Sequence, residues 1–169
     1  METGAVLADA FDRIRDVAHR AADGLGPDEL AWRPDPGANS IAWLLWHLTR
    51  IEEDHFADLG GTEQVWTTGD WHDRFGLPFP SAATGYGHSA EDVGKVRASA
   101  ELLLGYQDAT RAAIGGYLGR VDADELERIV DTRWDPPVTA GVRIVSVIAD
   151  GLQHAGQAAY VRGLLERRA

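Results

Sequence analysis

The segment that decides the fold is residues 147–165, VIADGLQHAGQAAYVRGLL. Its apolar residues recur at intervals of three and four, which is the spacing of one face of an α-helix. Two polar residues, Asp150 and His154, stand on that apolar face. We therefore predict a long last helix, capped by Thr139 and ending near Arg167, whose inward face carries a carboxylate and an imidazole.

Three further segments have helical periodicity. Serine or asparagine precedes two of them as a potential N-cap, and glycine follows two of them as a potential stop. The predicted helices are residues 5–22, ended by Gly24 and Gly26; residues 41–59, capped by Asn39 or Ser40; and residues 90–118, capped by Ser89 and ended by Gly119. Four such helices predict one all-α domain over residues 1–169, an antiparallel four-helix bundle.

The connection between the second and third predicted helices is long. Residues 60–88 are rich in glycine, proline and threonine and contain five aromatic residues, Trp66, Trp71, Phe75, Phe79 and Tyr86. Loops of this length inside a domain are uncommon and often functional, and disordered segments are poor in aromatic residues. We expect this loop to pack down as a lid or wall. For residues 120–138 we predict a second connector, with a short helix near residues 124–129.

Composition limits the classes of function. The chain of 169 residues has no cysteine, so any transition metal must be held by histidine and carboxylate. A net charge of −11 without a basic stripe argues against nucleic-acid binding. No run approaches the roughly 20 apolar residues of a membrane span, and the first residues lack the apolar stretch of a signal peptide. We expect a cytoplasmic protein.

A third inward polar residue lies on the second predicted helix, where Leu44, His47 and Ile51 share one stripe. Asp150 and His154 are four residues apart, so their side chains stand one above the other. Two such side chains and His47 from a facing helix are able to hold one ion and leave a coordination position open. The alternative is a hydrogen-bonded carboxylate–histidine pair without metal. His19 is assigned to the solvated face of the first helix, and His55, His72 and His88 are weaker ligand candidates.

Two stretches resemble the DinB-like superfamily. One comprises Trp32-Arg33-Pro34, residues 36–41 (PGANSI) and residues 44–48 (LLWHL); the other is residues 150–163, DGLQHAGQAAYVRG. The resemblance is closest to the branch that includes mycothiol-dependent maleylpyruvate isomerase. It implies a four-helix bundle, often dimeric, whose divalent metal, commonly zinc or nickel, is held by a histidine of the second helix and a Glu/His-x3-His pair on the last.

By position the resemblance makes His47, Asp150 and His154 the metal ligands, with zinc as the first expectation and nickel as the second. Aspartate at 150 departs from the family pattern, and its shorter arm leaves open a water-bridged metal. Gln157 and Arg162 also belong to the matched segment. Gln157 is a candidate to line the site, and the alternative is that it is solvated. Arg162 is a candidate to bind a substrate carboxylate, and the alternative is that it complements the helix dipole.

Three functions follow from these residues. The first is a metal-dependent transferase or isomerase that acts on a small molecule and takes its thiol, mycothiol by resemblance, from a cosubstrate. The second is a hydrolase that uses metal-bound hydroxide. The third is a non-catalytic, dimeric interaction or stress-response bundle whose metal is structural or absent. The sequence identifies no general base.

Overall fold

Four long helices, α1, α3, α7 and α9, make up most of residues 2–168, the part of the chain that the computed structural model describes. The elements in chain order are α1 (Thr3–Ala22), α2 (Pro27–Leu30), α3 (Ile41–Gly60), α4 (Val65–Thr68), α5 (Trp71–Phe75), α6 (Ala90–Lys95), α7 (Ala100–Leu118), α8 (Ala123–Glu127), β1 (Ile129–Asp131), β2 (Val138–Thr139) and α9 (Ala140–Arg168). The predicted all-α bundle is confirmed. No helix within the described residues is long and apolar enough to cross a membrane.

The helix ends follow local capping chemistry. The Ser40 hydroxyl accepts a hydrogen bond from the Trp43 backbone N–H at 3.1 Å, so Ser40 is the predicted cap of α3. Gly61 ends α3 in the left-handed region, with φ of 61°, which a glycine adopts without steric cost. The Thr139 hydroxyl accepts a hydrogen bond from the N–H of Val142, as predicted for the last helix.

The single helix predicted over residues 90–118 is wrong, because the structure has α6 and α7 with an extended break between them. Val96 has β-region dihedral angles, and the Ser99 hydroxyl accepts a hydrogen bond from the Leu102 N–H and starts α7. Val96 and Ala98 are both buried. Alternate residues face the same side in an extended segment but not in a helix, so burial of both favours the break.

The long helices form a ring in the order α1, α7, α3, α9. Contacts of His47 with His154, and of His55 with Arg143, show that α3 and α9 are antiparallel. In contrast, α3 and α7 are parallel, since Glu53 meets Tyr106 and Gly60 lies beside Tyr117. The parallel pair requires a long return connection, and residues 61–99 provide it.

Helix α3 is the centre of the molecule, because all ten residues 41–50 are buried. One side of it packs on the other long helices, and the other side is covered by the 61–88 loop, which contains α4 and α5. The second connector contains α8 at Ala123–Glu127 and then a two-stranded antiparallel hairpin, β1 with β2, which the sequence did not predict. The hairpin leads directly into α9.

Candidate metal centre

His47, Asp150 and His154 come together between α3 and α9. One ligand atom from each residue lies within 4.8 Å of the other two. Ligand bonds of about 2.0–2.2 Å allow two ligands of one ion to be up to about 4.2 Å apart. A side-chain shift of less than about 1 Å therefore brings all three atoms to one ion. The antiparallel crossing of the two helices brings together the residues that the sequence singled out.

The orientation of His47 is fixed by the 61–88 loop. Its Nδ1 lies 2.6 Å from the carbonyl oxygen of Thr84. A carbonyl oxygen only accepts hydrogen bonds, so Nδ1 carries the proton and Nε2 keeps a free electron pair for a metal. Burial lowers the pKa of His47 more than this hydrogen bond raises it. The imidazole is therefore held neutral, which is the form that binds a metal.

His154 is oriented in the same way by its own helix. Its Nδ1 donates to the carbonyl oxygen of Asp150 at 2.9 Å, which leaves Nε2 free. The ring centroids of His47 and His154 are 4.7 Å apart, with an interplanar angle of 71°. Trp43 stacks on His47 at 4.6 Å and reaches 6.2 Å from His154. The indole thus forms one wall of the site.

The side chain of Asp150 is half-buried, and its Oδ2 atom is buried without a hydrogen-bond donor among residues 2–168. His154 Nδ1 lies 3.3 Å from Oδ2. The N–H of that nitrogen already donates to the backbone carbonyl oxygen of Asp150, so the approach to Oδ2 is an electrostatic contact. Burial alone would raise the pKa of Asp150; the neighbouring His154 and His47 outweigh it and the net shift is downward. A buried carboxylate oxygen without a partner is costly, and a cation satisfies it.

The pKa of His154 is raised. Burial acts to lower it, but the contacts with the Asp150 carboxylate and carbonyl act more strongly in the other direction. The anionic carboxylate therefore supplies the negative charge of the site. His154 binds a metal only in its neutral form, so a metal would displace the proton that this contact favours on the imidazole. Two nitrogens and one carboxylate oxygen are a donor set that suits zinc and similar divalent ions.

A buried arginine attaches the loop to α3. Arg50 is fully buried, and its guanidinium donates to the carbonyl oxygens of Ala83 at 3.1 Å and Ser81 at 3.4 Å. The same group donates to Glu53 Oε2 at 3.0 Å and Gln64 Oε1 at 2.8 Å. These bonds hold the segment before Thr84 against α3, and so they hold the carbonyl that orients His47.

Gly85 is required where the loop passes over the site. Its φ of +93° lies in the region that favours glycine. A Cβ atom at this position would lie 2.8 Å from His47 Nδ1 and 3.0 Å from the Trp46 ring. The expectation that the loop forms a wall is met at this point, because Thr84 and Gly85 pack directly on the imidazole.

His88 lies at the edge of the same aromatic wall. The Trp43 indole N–H donates to His88 Nδ1 at 3.3 Å, and Phe79 lies 4.5 Å from the His88 ring. Because Nδ1 accepts a hydrogen bond from the indole N–H, the neutral ring carries its own proton on Nε2. Burial lowers the pKa of His88, which favours that neutral form. His88 is thus a hydrogen-bond donor beside the triad and not a fourth member of it.

Glu52 is a buried carboxyl group that sequence analysis passed over as part of an acidic run. Its Oε1 has no hydrogen-bond partner in the described chain. A Cβ atom at Gly151 would lie 3.4 Å from that oxygen and 2.9 Å from Ile14 Cδ1, so the glycine allows three helices to approach closely here. Burial, reinforced by Asp150 and opposed by Arg111, raises the pKa of Glu52 to about 8. The group is therefore mostly protonated at neutral pH.

The other candidates have structural partners. His55 meets Arg143 at 3.4 Å, and His72 meets Asp73 at 3.0 Å. His19 is half-buried and lies 3.0 Å from Asp108 of α7, so its assignment to the solvated face is wrong: Arg15 and His19 face α7 through this aspartate. Arg162 donates to the carbonyl oxygens of Arg20 and Asp23 at the end of α1, and Gln157 is exposed.

Comparisons with known proteins identify the family and a similar fold. The family model described as mycothiol-S-transferase matches residues 6–167. A crystal structure described as the conserved protein of a locus from Enterococcus faecalis has a TM-score of 0.91 and 30% sequence identity, over 98% of each chain. No curated protein matches the sequence.

Proposed function

Because the chain belongs to the mycothiol-S-transferase family, we propose that it is a metal-dependent enzyme that uses a low-molecular-weight thiol of the mycothiol type. In this reaction the thiolate sulfur forms a bond to an electrophilic carbon of a small molecule. Either the bond from that carbon to a leaving group breaks, or the carbon belongs to an activated double bond and its neighbour takes up the proton that the thiol lost. In an isomerisation the new C–S bond breaks again and the thiol is released. His47, Asp150 and His154 hold the ion. The observation that carries the proposal is the triad itself: three ligand atoms within 4.8 Å, with Nε2 of both histidines left free.

The donor set fits a catalytic ion. Three protein ligands leave a fourth position for a small molecule, whereas structural zinc sites are closed by four. A divalent ion at this position lowers the pKa of a coordinated thiol, so that the thiolate nucleophile is available at neutral pH. The chain contains no cysteine, and the thiol must come from a cosubstrate.

The protein residues around the triad prepare that position. Thr84 and the Asp150 carbonyl fix the tautomers of the two histidines, and Trp43 and Trp46, both buried, exclude water from one side. His88 Nε2–H offers a donor at the edge of this wall for a polar group of the substrate or cosubstrate. Part of the 61–88 loop is exposed, including Tyr86, which is 89% exposed. We propose that this part contacts the small molecules that enter the metal site. We assign control of access to this loop.

The finer features rest on the sequence and the family. Zinc is the proposed ion and nickel the second choice. The aspartate side chain is short, so Asp150 binds the ion either directly or through a water molecule. We further propose a cytoplasmic location and a homodimer.

The decisive experiment uses the cobalt-loaded protein. Mycothiol added to it should produce a thiolate-to-cobalt charge-transfer band in the near ultraviolet. S-methyl mycothiol, which has no free thiol, should leave the spectrum unchanged, and so should mycothiol added to the His154→Ala variant. A cobalt spectrum that responds to no small thiol would overturn the thiol proposal. Turnover of ester or amide substrates without thiol would then favour the hydrolase, and absence of any turnover the non-catalytic bundle.

A further inference from the structure

A polar cleft with a volume of about 810 Å³ lies near the triad, on the same seam between α3 and α9. We call it the seam cleft; residues within 54–58, 61–67 and 81–82 line it, together with Arg133 and Arg143. Ten of the thirteen lining residues are polar or charged, and the other three are alanine or glycine. Since the described residues give this lining no large apolar side chain, a ligand of the cleft is held by hydrogen bonds and charge.

The seam cleft is within reach of the triad. Arg143 stands seven residues before Asp150 on α9, and His55 stands eight residues after His47 on α3. These separations correspond to about 10–12 Å of helix. Burial lowers the pKa of His55, and the Asp150 carboxylate is close enough to oppose that shift. A small molecule of this length is therefore able to have one end at the triad and the other end in the cleft.

The charge of the cleft disfavours anions. Its two guanidinium groups, those of Arg133 and Arg143, both face the buried Asp131, at 2.7 and 3.6 Å. Three further carboxylates line the cleft: Asp54, Asp58 and Glu63. With Asp131 included, four carboxylates against two guanidinium groups leave a net charge of −2. A carboxylate or phosphate group of a ligand is repelled by this charge.

The groups that line the cleft have hydrogen-bonding capacity to spare. In the described chain, the guanidinium of Arg143 has no hydrogen bond or ion pair shorter than its 3.4 Å contact with His55, although its side chain is only 15% exposed. A guanidinium has five N–H donors, so several of them are free for a ligand. Asp58 is 69% exposed and accepts hydrogen bonds, and the hydroxyls of Thr62 and Ser81 both donate and accept.

We propose that the seam cleft binds an uncharged group with several hydroxyls, such as a sugar ring, and rejects anionic groups. A hydroxyl donates to a carboxylate and accepts from a guanidinium at the same time, so each hydroxyl of such a group matches the mixed lining. Arg162, the sequence-based candidate for a substrate carboxylate, donates to main-chain oxygens at the end of α1 instead. The place of this group in the reaction rests on the proposed function: it belongs to the thiol or to the electrophile.

Two sugar probes test the inference in chelator-treated protein, without thiol. Methyl glucoside and methyl glucuronide share one ring and differ in one group, a hydroxymethyl in the first and a carboxylate in the second. Methyl glucoside should shift the amide NMR signals of residues 54–67 and 81–82, with a dissociation constant in the millimolar range. Methyl glucuronide should bind more weakly by a factor of about 10 or more. Since neither metal nor thiol is present, the result is independent of the proposed reaction.

Charge reversal at Asp58 is the variant that tests the selectivity. Asp58→Lys removes an acceptor and changes the net charge of the cleft from −2 to 0. It should weaken the binding of methyl glucoside by a factor of about 10 and abolish the discrimination against methyl glucuronide. Asp16→Lys is the matched control, because Asp16 is also an exposed helical aspartate with a long arginine contact, 3.7 Å to Arg15, and does not line the cleft. It should keep native affinity for both probes.

The cobalt-loaded protein shows which reactant carries the group. If the thiol carries it, Asp58→Lys should raise the mycothiol concentration that gives half of the charge-transfer band; a native value assigns the group to the electrophile. Absence of the band together with native binding of methyl glucoside would count against the thiol chemistry alone. The inference is overturned if methyl glucoside does not bind, if the native protein binds both probes equally, or if Asp58→Lys keeps the native preference.

Discussion

The carbonyl oxygen of Thr84 lies 2.6 Å from Nδ1 of His47, and this contact determines which nitrogen of the imidazole faces the candidate metal position. A loop residue 37 positions along the chain thereby sets the protonation of a helix residue. Hydrogen bonds that orient a metal-binding histidine in this way commonly change metal affinity by factors of about 10–100 when they are lost. The site is therefore a property of α3, α9 and the loop together.

Gly85→Ala tests this dependence on the loop. The added methyl group would lie 2.8 Å from His47 Nδ1, so either the ring or the loop must move, and metal affinity should fall by a factor of about 10 or more. Gly87→Ala is the matched control, since Gly87 also has a positive φ, 74°, but has no neighbour within 4 Å of an added Cβ. It carries a similar backbone cost, about 1–2 kcal/mol, without touching the ligand. Titration with zinc should show weakened binding in Gly85→Ala and native binding in Gly87→Ala.

Metal should stabilise the fold by linking α3 to α9. A ligand that binds only the folded state adds about 3–4 kcal/mol to the free energy of unfolding at 100–1,000 times its Kd. A chelator should therefore lower the melting temperature of the native protein and have little effect on His154→Ala. In His72→Ala, which lacks a loop histidine outside the triad, the chelator should act as on the native chain. Equal chelator shifts in all three proteins, or none in any, would contradict a metal link between these helices.

The buried Arg50 should be far more important for stability than an exposed arginine. Arg50→Leu leaves the buried Glu53 without its cationic partner, although the Tyr106 hydroxyl and the Trp66 N–H still donate to it; loss of one member of a buried ion pair costs about 3–5 kcal/mol. Arg13→Leu removes an exposed ion pair with Asp9, and such helix pairs contribute about 0.3–0.5 kcal/mol. Urea unfolding should separate the two variants.

The same Arg50→Leu change should also loosen the loop. Hydrogen exchange at residues 81–88 should accelerate in this variant, while the exchange of α1 amides should follow the loss of global stability alone. The double variant Arg50→Leu/Glu53→Leu should recover much of the lost stability, because it no longer buries an unpaired charge. It should not restore slow exchange in the loop, since the bonds to Ser81 and Ala83 remain absent. Slow exchange in either variant would rule out Arg50 as the anchor of the loop.

Glu52 should make stability fall as pH rises. Its pKa is raised from an ordinary value of 4.5 to about 8, so the folded state binds the proton more tightly than the unfolded chain does. The contribution is complete below about pH 4.5, declines with a slope of up to about 1.4 kcal/mol per pH unit, and is lost above about pH 8. Unfolding measured at several pH values, with chelator present, should show this slope in the native protein.

Glu52→Gln provides the comparison, because it has a similar shape and does not titrate. Between pH 5 and 8 its stability should vary less with pH than that of the native protein. Glu63→Gln, at an exposed position, should keep the native slope. An unchanged slope in Glu52→Gln would mean that Glu52 is ionised in the folded protein.

The helices and the three residues His47, Asp150 and His154 were predictable because the periodic spacing of apolar side chains reveals both. His47, Asp150 and His154 interrupt apolar stripes, and a polar residue on such a stripe is visible in the sequence. The Thr84 carbonyl was not predictable, because every residue has one and only the path of the loop brings this one to His47. Burial of Glu52 was hidden by its neighbours Glu53 and Asp54. Five residues after His47, it lies about 140° around α3 from that histidine, so its spacing gave no sign that it meets Gly151 of α9.

The break between α6 and α7 had a local signal that competed with a stronger one. Ser99 is a good cap, but Val93, Val96, Ala100 and Leu103 keep helical spacing through it, and the periodicity favoured one continuous helix. His19 was misplaced for a different reason. Its stripe on α1 is polar, and only the position of Asp108 on α7 shows that this polar side meets another helix.

The use of a main-chain oxygen to orient His47 has an evolutionary consequence. A backbone carbonyl is retained when Thr84 is replaced by another residue, provided that Arg50 and Gly85 keep the path of the loop. Neighbouring positions with exposed side chains, such as Tyr86, are then free to change without altering the proposed metal ligands. Under the proposed function, substitutions in the loop would change which small molecules bind, and the residues that hold the metal would stay the same.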